Sequence, residues 1–178
     1  MAVLFENFEM KIYFLIALLA LLSPVRAEVP REYQIKAAFL YNFAKFVQWP
    51  ASRFAGPESP LVIGVMRGNP FENELENAVS GRRINGRPVV VQLVSGSTAA
   101  RQTHLLFLGP GQESNLAALK GHAVLTVGES AAFAREGGMI TITPQGGTMH
   151  FTIDQRAADE AKLRISCQLQ KLSRGIRR

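Results

Sequence analysis

The chain has 178 residues, 47% hydrophobic and 19% charged, with a formal net charge of +6 and one cysteine. This composition excludes a disordered or fibrous chain, and the lone Cys167 excludes a disulfide within the chain. The positive excess does not read as nucleic-acid binding: outside Arg82, Arg83, Arg87 and the terminal Arg174, Arg177 and Arg178 the basic residues are dispersed, and no aromatic residues interleave with those clusters. An acidic protein surface or a membrane headgroup layer suits the charge better.

The first predicted element is an address. Ile12 to Leu22 is uncharged, follows Lys11 and precedes Ser23, Pro24, Val25, Arg26 and Ala27. It is too short to cross hydrocarbon, which takes about 20 apolar residues. A basic start, a short apolar core and small residues at the cleavage position describe a secretory signal peptide over residues 1–27, cut before Glu28. Glu6 and Glu9 suit such a leader badly, which favours Met10 as the start. The alternative is an uncleaved anchor, against which the helix breaker Pro24 counts. Residues 28–178 are then expected to form a single exported domain.

Pro30 to Trp49 carries helical periodicity over an apolar arc of roughly 200°, about twice the width a surface helix needs. Lys36 interrupts it, and Lys36 with Lys45 excludes a membrane span. The arc is expected to be enclosed by two layers of the fold or to face a second polypeptide, which makes Phe39, Phe43 and Phe46 candidate partner-binding residues.

Strands and helices alternate beyond it. Leu61 to Met66 reads as a strand, and Asn69 and Pro70 as the cap and start of a helix through Val79 that Gly81 stops. "INGRPVVVQLV" reads as a strand entered through an Asn-Gly turn. His104 to Leu108 is a further strand, followed by a short helix from Ser114 to Leu119, the strand "VLTV" and a helix over Ala131 to Arg135. "MITIT" and "MHFTI" around "PQGG" alternate with period two, as a hairpin does. A long helix over Gln155 to Leu172 is predicted to close the chain, with Cys167 buried and inert within it. The expected fold is α/β with three layers: a mixed, mostly parallel sheet, helices on both faces and an antiparallel hairpin.

Three strands run into glycine turns and helix starts: "VMRGNPF", "LFLGPGQES" and "LTVGESAAF". In a parallel sheet such turns gather at the carboxyl edge, so Arg67, Gly109, Gly111, Gly128 and Ser130 mark a candidate small-ligand edge. Neither a dinucleotide fingerprint nor a phosphate loop is present, and no cofactor is predicted. "GESAA" sets Ser130 where a nucleophile elbow would set its serine, but His150 precedes Asp154 and no oxyanion loop is evident, so a helix cap is the expected role. His104, His122 and His150 are too dispersed to predict a metal site.

"REYQIKAAFLYNFAKFVQWP", "NPFENELENAVSGRRINGRPVVV", "THLLFLG", "VLTVGESAAFAREGGMITI" and "HFTIDQRAADEAKLRISCQLQKLSR" together resemble the YfiR family of small periplasmic proteins, in that family's order and over nearly all of residues 28–178. The resemblance implies an exported, non-enzymatic α/β domain that binds the periplasmic sensing part of an inner-membrane diguanylate cyclase and holds it inactive. Release by a lipoprotein partner or by redox state would then raise cyclic di-GMP and favour biofilm growth. Homodimers are also implied. Thr103 occupies what resembles a cysteine position of redox-controlled members, which counts against thiol sensing within this chain. Because the family stands beside varied membrane sensors, a histidine kinase is an alternative partner.

Overall fold

The computed structural model describes residues 31–68 and 70–177. The predicted signal peptide and the Asn69 cap lie outside the described residues. Among the described residues no helix is long and apolar enough to cross a membrane.

Helix α1 spans Arg31–Phe46 and runs straight into a two-residue strand, β1 (Val47–Gln48). After a 3-10 turn at Ala51–Arg53 come β2 (Leu61–Met66), α2 (Glu74–Val79), β3 (Arg83–Ile84), β4 (Arg87–Val94) and α3 (Gly96–Arg101). Strand β5 (Leu105–Leu108), a 3-10 helix at Glu113–Leu119, β6 (Leu125–Gly128) and α4 (Ala131–Arg135) follow. The chain ends with β7 (Ile140–Gln145), β8 (Thr148–Asp154), α5 (Gln155–Glu160), β9 (Arg164–Ile165), α6 (Cys167–Leu172) and β10 (Gly175–Arg177).

Eight strands form one sheet in the order β10-β8-β7-β6-β5-β2-β4-β3. From β4 to β7 all neighbours are parallel, and β8 turns back antiparallel along β7 through Gly146 and Gly147, both at positive φ as a two-residue hairpin turn requires. The Asn-Gly turn also forms, with Asn85 at φ 51 and Gly86 at φ 81 joining β3 to β4.

The central strands read as unbroken apolar runs because both of their faces are covered. In β5, Leu105 and Phe107 point to one core and Leu106 and Leu108 to the other, none more than 1% exposed. The first core is roofed by α1, α2, α5 and α6 through residues such as Leu40, Phe43, Leu75, Ala158 and Leu169. The second is roofed by α3, the 3-10 helix and α4 through Ala100, Leu116, Leu119 and Phe133. The architecture is therefore the expected three-layer, mostly parallel α/β sandwich.

Four local expectations are corrected. The predicted helix over Gln155 to Leu172 is two helices separated by a strand: Lys162 sits at φ 59, and Val47 and Ile165 pair in an antiparallel two-stranded sheet. Ser166 caps the second helix, its hydroxyl accepting from the Leu169 amide at 3.2 Å. The helix expected from Pro70 begins at Glu74. Cys167, expected to be buried, opens α6 on its exposed side. The helix expected to reach Trp49 gives way to β1 after Phe46, where the Phe46 carbonyl accepts from the Ser166 amide.

Candidate functional site

Helix α1 lies across the first core and divides the candidate aromatic residues by depth. Phe43 is 1% exposed and meets Phe151 of β8 edge-on at 5.0 Å. Phe39 is half-buried, stacked on Phe43 at 5.7 Å and edge-on to Phe151 at 6.0 Å. Phe46 is half-buried at the helix end, with the Lys45 ammonium 6.0 Å from its ring. The apolar arc is thus largely enclosed by the fold, and Phe43 supports the surface from below. Ile35, 40% exposed, carries its apolar character outward.

A feature that sequence reasoning missed lies on the flank of the same helix. The Arg82 guanidinium sits 4.8 Å from the centre of the Tyr41 ring, and the Lys45 ammonium is 5.8 Å from it. Two exposed cations on one half-buried aromatic ring make a ledge that favours an acidic surface. Arg82 was visible only as part of a basic cluster, because forty residues of chain separate it from the ring it meets.

Lys36, which interrupts the apolar arc, is 2% exposed and reaches the end of β6, where it pairs with Glu129 and, at 2.5 Å, with Glu32. The Tyr33 hydroxyl donates to the other oxygen of Glu129 at 3.1 Å, and the Lys36 ammonium lies 4.2 Å from the Tyr33 ring centre. Burial pulls the Lys36 ammonium down, but its bonds to Glu129 and Glu32 outweigh that and raise its pKa. Burial, reinforced by the Glu129 charge, also raises the Tyr33 phenol. These residues pin the start of α1 to the carboxyl edge of the sheet.

The candidate ligand residues do gather at that edge, as the ends of β2, β5 and β6, and there they are engaged with one another. Gln112 donates to the Arg67 carbonyl at 2.6 Å and accepts from the Gly109 amide at 2.9 Å, bridging two turns. The Arg67 guanidinium donates to Ser95 at 3.0 Å. Gly111 supplies the positive φ of 81 that its turn needs. The space beside Gly128 is taken by Phe133: a Cβ there would lie 2.5 Å from the ring. Ser130 caps α4, accepting from the Phe133 amide at 2.9 Å, and donates its own proton to Glu113. That bond lowers the Glu113 pKa. Neither partner of Ser130 is a histidine. Among the described residues no group of histidine, cysteine and acidic side chains is placed to hold a metal ion.

At the opposite edge a buried knot surrounds His104. Its Nδ1 accepts from the Val62 amide at 3.1 Å and its Nε2 faces the Arg53 carbonyl at 3.3 Å, which sets the proton on Nε2. Phe54 stacks on the imidazole at 4.4 Å, and Arg87 covers the far side of Phe54 at 3.8 Å. Trp49 donates to the His104 carbonyl at 2.9 Å. Burial first, then the charges of Arg53 and Arg87, lower the imidazole pKa to about 4. Thr103, beside it, is fully buried, bonds the Ala100 carbonyl and packs where a Cβ on Gly64 would stand.

Comparison with known proteins gives one family and a fold. Residues 33–174 match the family described as YfiR/HmsC-like. A conserved domain protein from Vibrio cholerae O1 biovar El Tor has a similar structure, with a TM-score of 0.52 and 11% identity over 82% of this chain and 60% of that one. An ABC domain from Streptococcus pneumoniae, solved in complex with L-Trp, has a TM-score of 0.52 and 10% identity over 79% of this chain and 60% of that one. At such identities the likeness is one of fold. This chain spans about three fifths of the length of those proteins. Curated proteins yield no match.

Proposed function

The chain belongs to the YfiR/HmsC-like family, and from that premise we propose that it is a periplasmic regulatory protein that binds the sensing part of an inner-membrane diguanylate cyclase and holds the enzyme inactive. The observation that carries this reading is the extent of the family match, which runs from the first turn of α1 through α6 and so takes in the roofs of both cores. The physical support comes from the flank of α1. A rigid helix, pinned at one end by Lys36 and Glu129 and along its length by Phe43, presents Tyr41 between Lys45 and Arg82. Such a ledge suits an acidic partner, and charge complementarity there sets association rate and specificity.

The protein acts in this reading by contact alone. Its one cysteine is exposed on α6, so an outer-membrane lipoprotein that competes for the ledge is a better release mechanism than a thiol switch within the chain. Photo-cross-linking tests the contact. A photoreactive amino acid in place of Tyr41, expressed in living cells, is expected to capture an inner-membrane protein with a diguanylate cyclase domain. Capture of a histidine kinase, or of no membrane protein, contradicts the proposal.

A further inference from the structure

Strand β4 leaves a short stretch of edge open, and its neighbours fix the geometry there. It pairs with β2 along its whole length on one side. On the other side β3 covers only its start: Ile84 stands opposite Arg87, Arg83 opposite Pro88, and the Val89 amide donates to the Arg82 carbonyl at 3.1 Å. The position opposite Val90 falls to Gly81, where a φ of 67 turns the chain out of the sheet, back to the end of α2. Among the described residues no strand lies beyond residues 90–94, and the Val91 and Leu93 amides have no partner. Successive residues of a strand direct their backbone groups to alternate sides, and those of Val89 face β3. Val91 and Leu93 therefore turn theirs to the open side, while Val90, Gln92 and Val94 bond β2. Leu93 is 60% exposed, and Val-Val-Gln-Leu-Val carries none of the charge, proline or bulge that usually guards such an edge.

We propose that this edge binds the free C-terminal segment of another protein, added antiparallel to β4 as one more strand, with its terminal carboxylate at the arginine end. Gly81 requires the segment to end there. A strand running on past Val91 would meet the chain where it leaves the sheet, so an antiparallel guest must finish, and a parallel guest begin, opposite Val91. Charge chooses between the two. Arg82, Arg83 and Arg87 crowd that end of the edge, and among the described residues only Arg83 has an acidic partner, Glu58. A terminal carboxylate is attracted there, and a terminal ammonium is repelled by a molecule that already carries +6.

The register also sets what side chains the segment carries. Its last residue stands opposite Val91, its carboxylate accepting from the Val91 amide and its own amide donating to the Val91 carbonyl; its third-last residue exchanges the same two bonds with Leu93. Residues opposite one another on antiparallel strands share a face, so the last and third-last side chains lie beside Val91 and Leu93. Apolar residues at those two positions cover the exposed Leu93, and a polar residue between them suits Gln92. Backbone bonds then supply affinity, and the carboxylate and the alternate side chains supply specificity. Val91 and Leu93 lie outside the Tyr41 ledge, so the edge and the membrane-partner contact fail separately.

Fluorescence anisotropy on the purified exported protein tests it, with the labelled peptide Gly-Ser-Thr-Val-Thr-Val bearing a free carboxylate as the probe. The peptide is expected to bind saturably, and its C-terminal amide form about tenfold or more weakly. Leu93→Pro, which removes an edge amide but no bond to β2, should weaken binding about tenfold or more with unchanged circular dichroism. In the wild type, bound peptide should slow hydrogen exchange at the Val91 and Leu93 amides. No saturable binding, as when a second copy of the chain occupies the edge, overturns the proposal; so does equal binding of acid and amide, or undiminished binding by folded Leu93→Pro. Should that variant unfold, hydrogen exchange decides: unprotected Val91 and Leu93 amides in the bound wild type place the peptide elsewhere.

Discussion

His104 is held neutral by its surroundings, and this has a consequence for stability. Its pKa is about 4 in the folded protein against 6.5 for a free imidazole, so between these values the unfolded chain binds the extra proton. Its contribution to stability is therefore complete above pH 6.5 and is lost as pH falls toward 4. Lowering the pH from 7 to 5 should cost about 2 kcal/mol in urea unfolding. His104→Gln, which keeps a donor and an acceptor, should flatten that slope; an unchanged slope would assign the pH dependence to other groups. Lys36 offers a second test. Lys36→Met leaves Glu129 beside a buried apolar side chain and should destabilise the fold by about 3 kcal/mol, whereas Lys36→Met with Glu129→Gln should recover much of that loss. Thermal unfolding of the two single variants and the double variant measures the coupling. Lys36 was legible in the sequence only as an interruption of an apolar arc, because its partner Glu129 lies 93 residues away. Sequence could place Ser130 as a cap from the local strand-turn-helix pattern alone, and there the reading matches the geometry.

Elements whose signals are local were read well, and those decided by distant contacts were not. The β7–β8 hairpin and the Asn85–Gly86 turn follow from glycine at positions that need positive φ. The segment from Gln155 to Leu172 reads as one helix because Ala158, Ala161, Leu163, Ile165, Leu169 and Leu172 make a loose apolar stripe. Buried Ala161, Leu163 and Ile165 alternate with exposed Lys162 and Arg164, which is the period of a strand and was present in the sequence. What selects that strand is Val47, more than a hundred residues earlier. The restart at α6 depends on its cap, so Ser166→Ala should cost about 1 kcal/mol, seen as a lower midpoint in chemical denaturation with an unchanged slope. Gly128→Ala should also destabilise, by about 1 to 3 kcal/mol, since its methyl group would press on Phe133. A neutral result there would mean that the ring has room to move.

At the scale of the whole molecule, a sheet roofed on both faces makes a rigid platform, and function falls to what the platform displays. The α/β architecture was legible because buried parallel strands leave continuous apolar runs in the sequence, as "LLFL" of β5 does. The Tyr41 ledge was not legible, since it is made where the loop after α2 passes α1. If the ledge is the contact, Lys45→Glu with Arg82→Glu should abolish binding to the membrane partner while leaving the melting temperature close to that of the wild type. The central claim, that this protein restrains a diguanylate cyclase, is tested most directly by cellular cyclic di-GMP in a strain lacking the gene. The level should rise on deletion and return to normal when the exported wild type is restored, but not when the Lys45→Glu, Arg82→Glu variant is. A level that does not change on deletion would contradict the account.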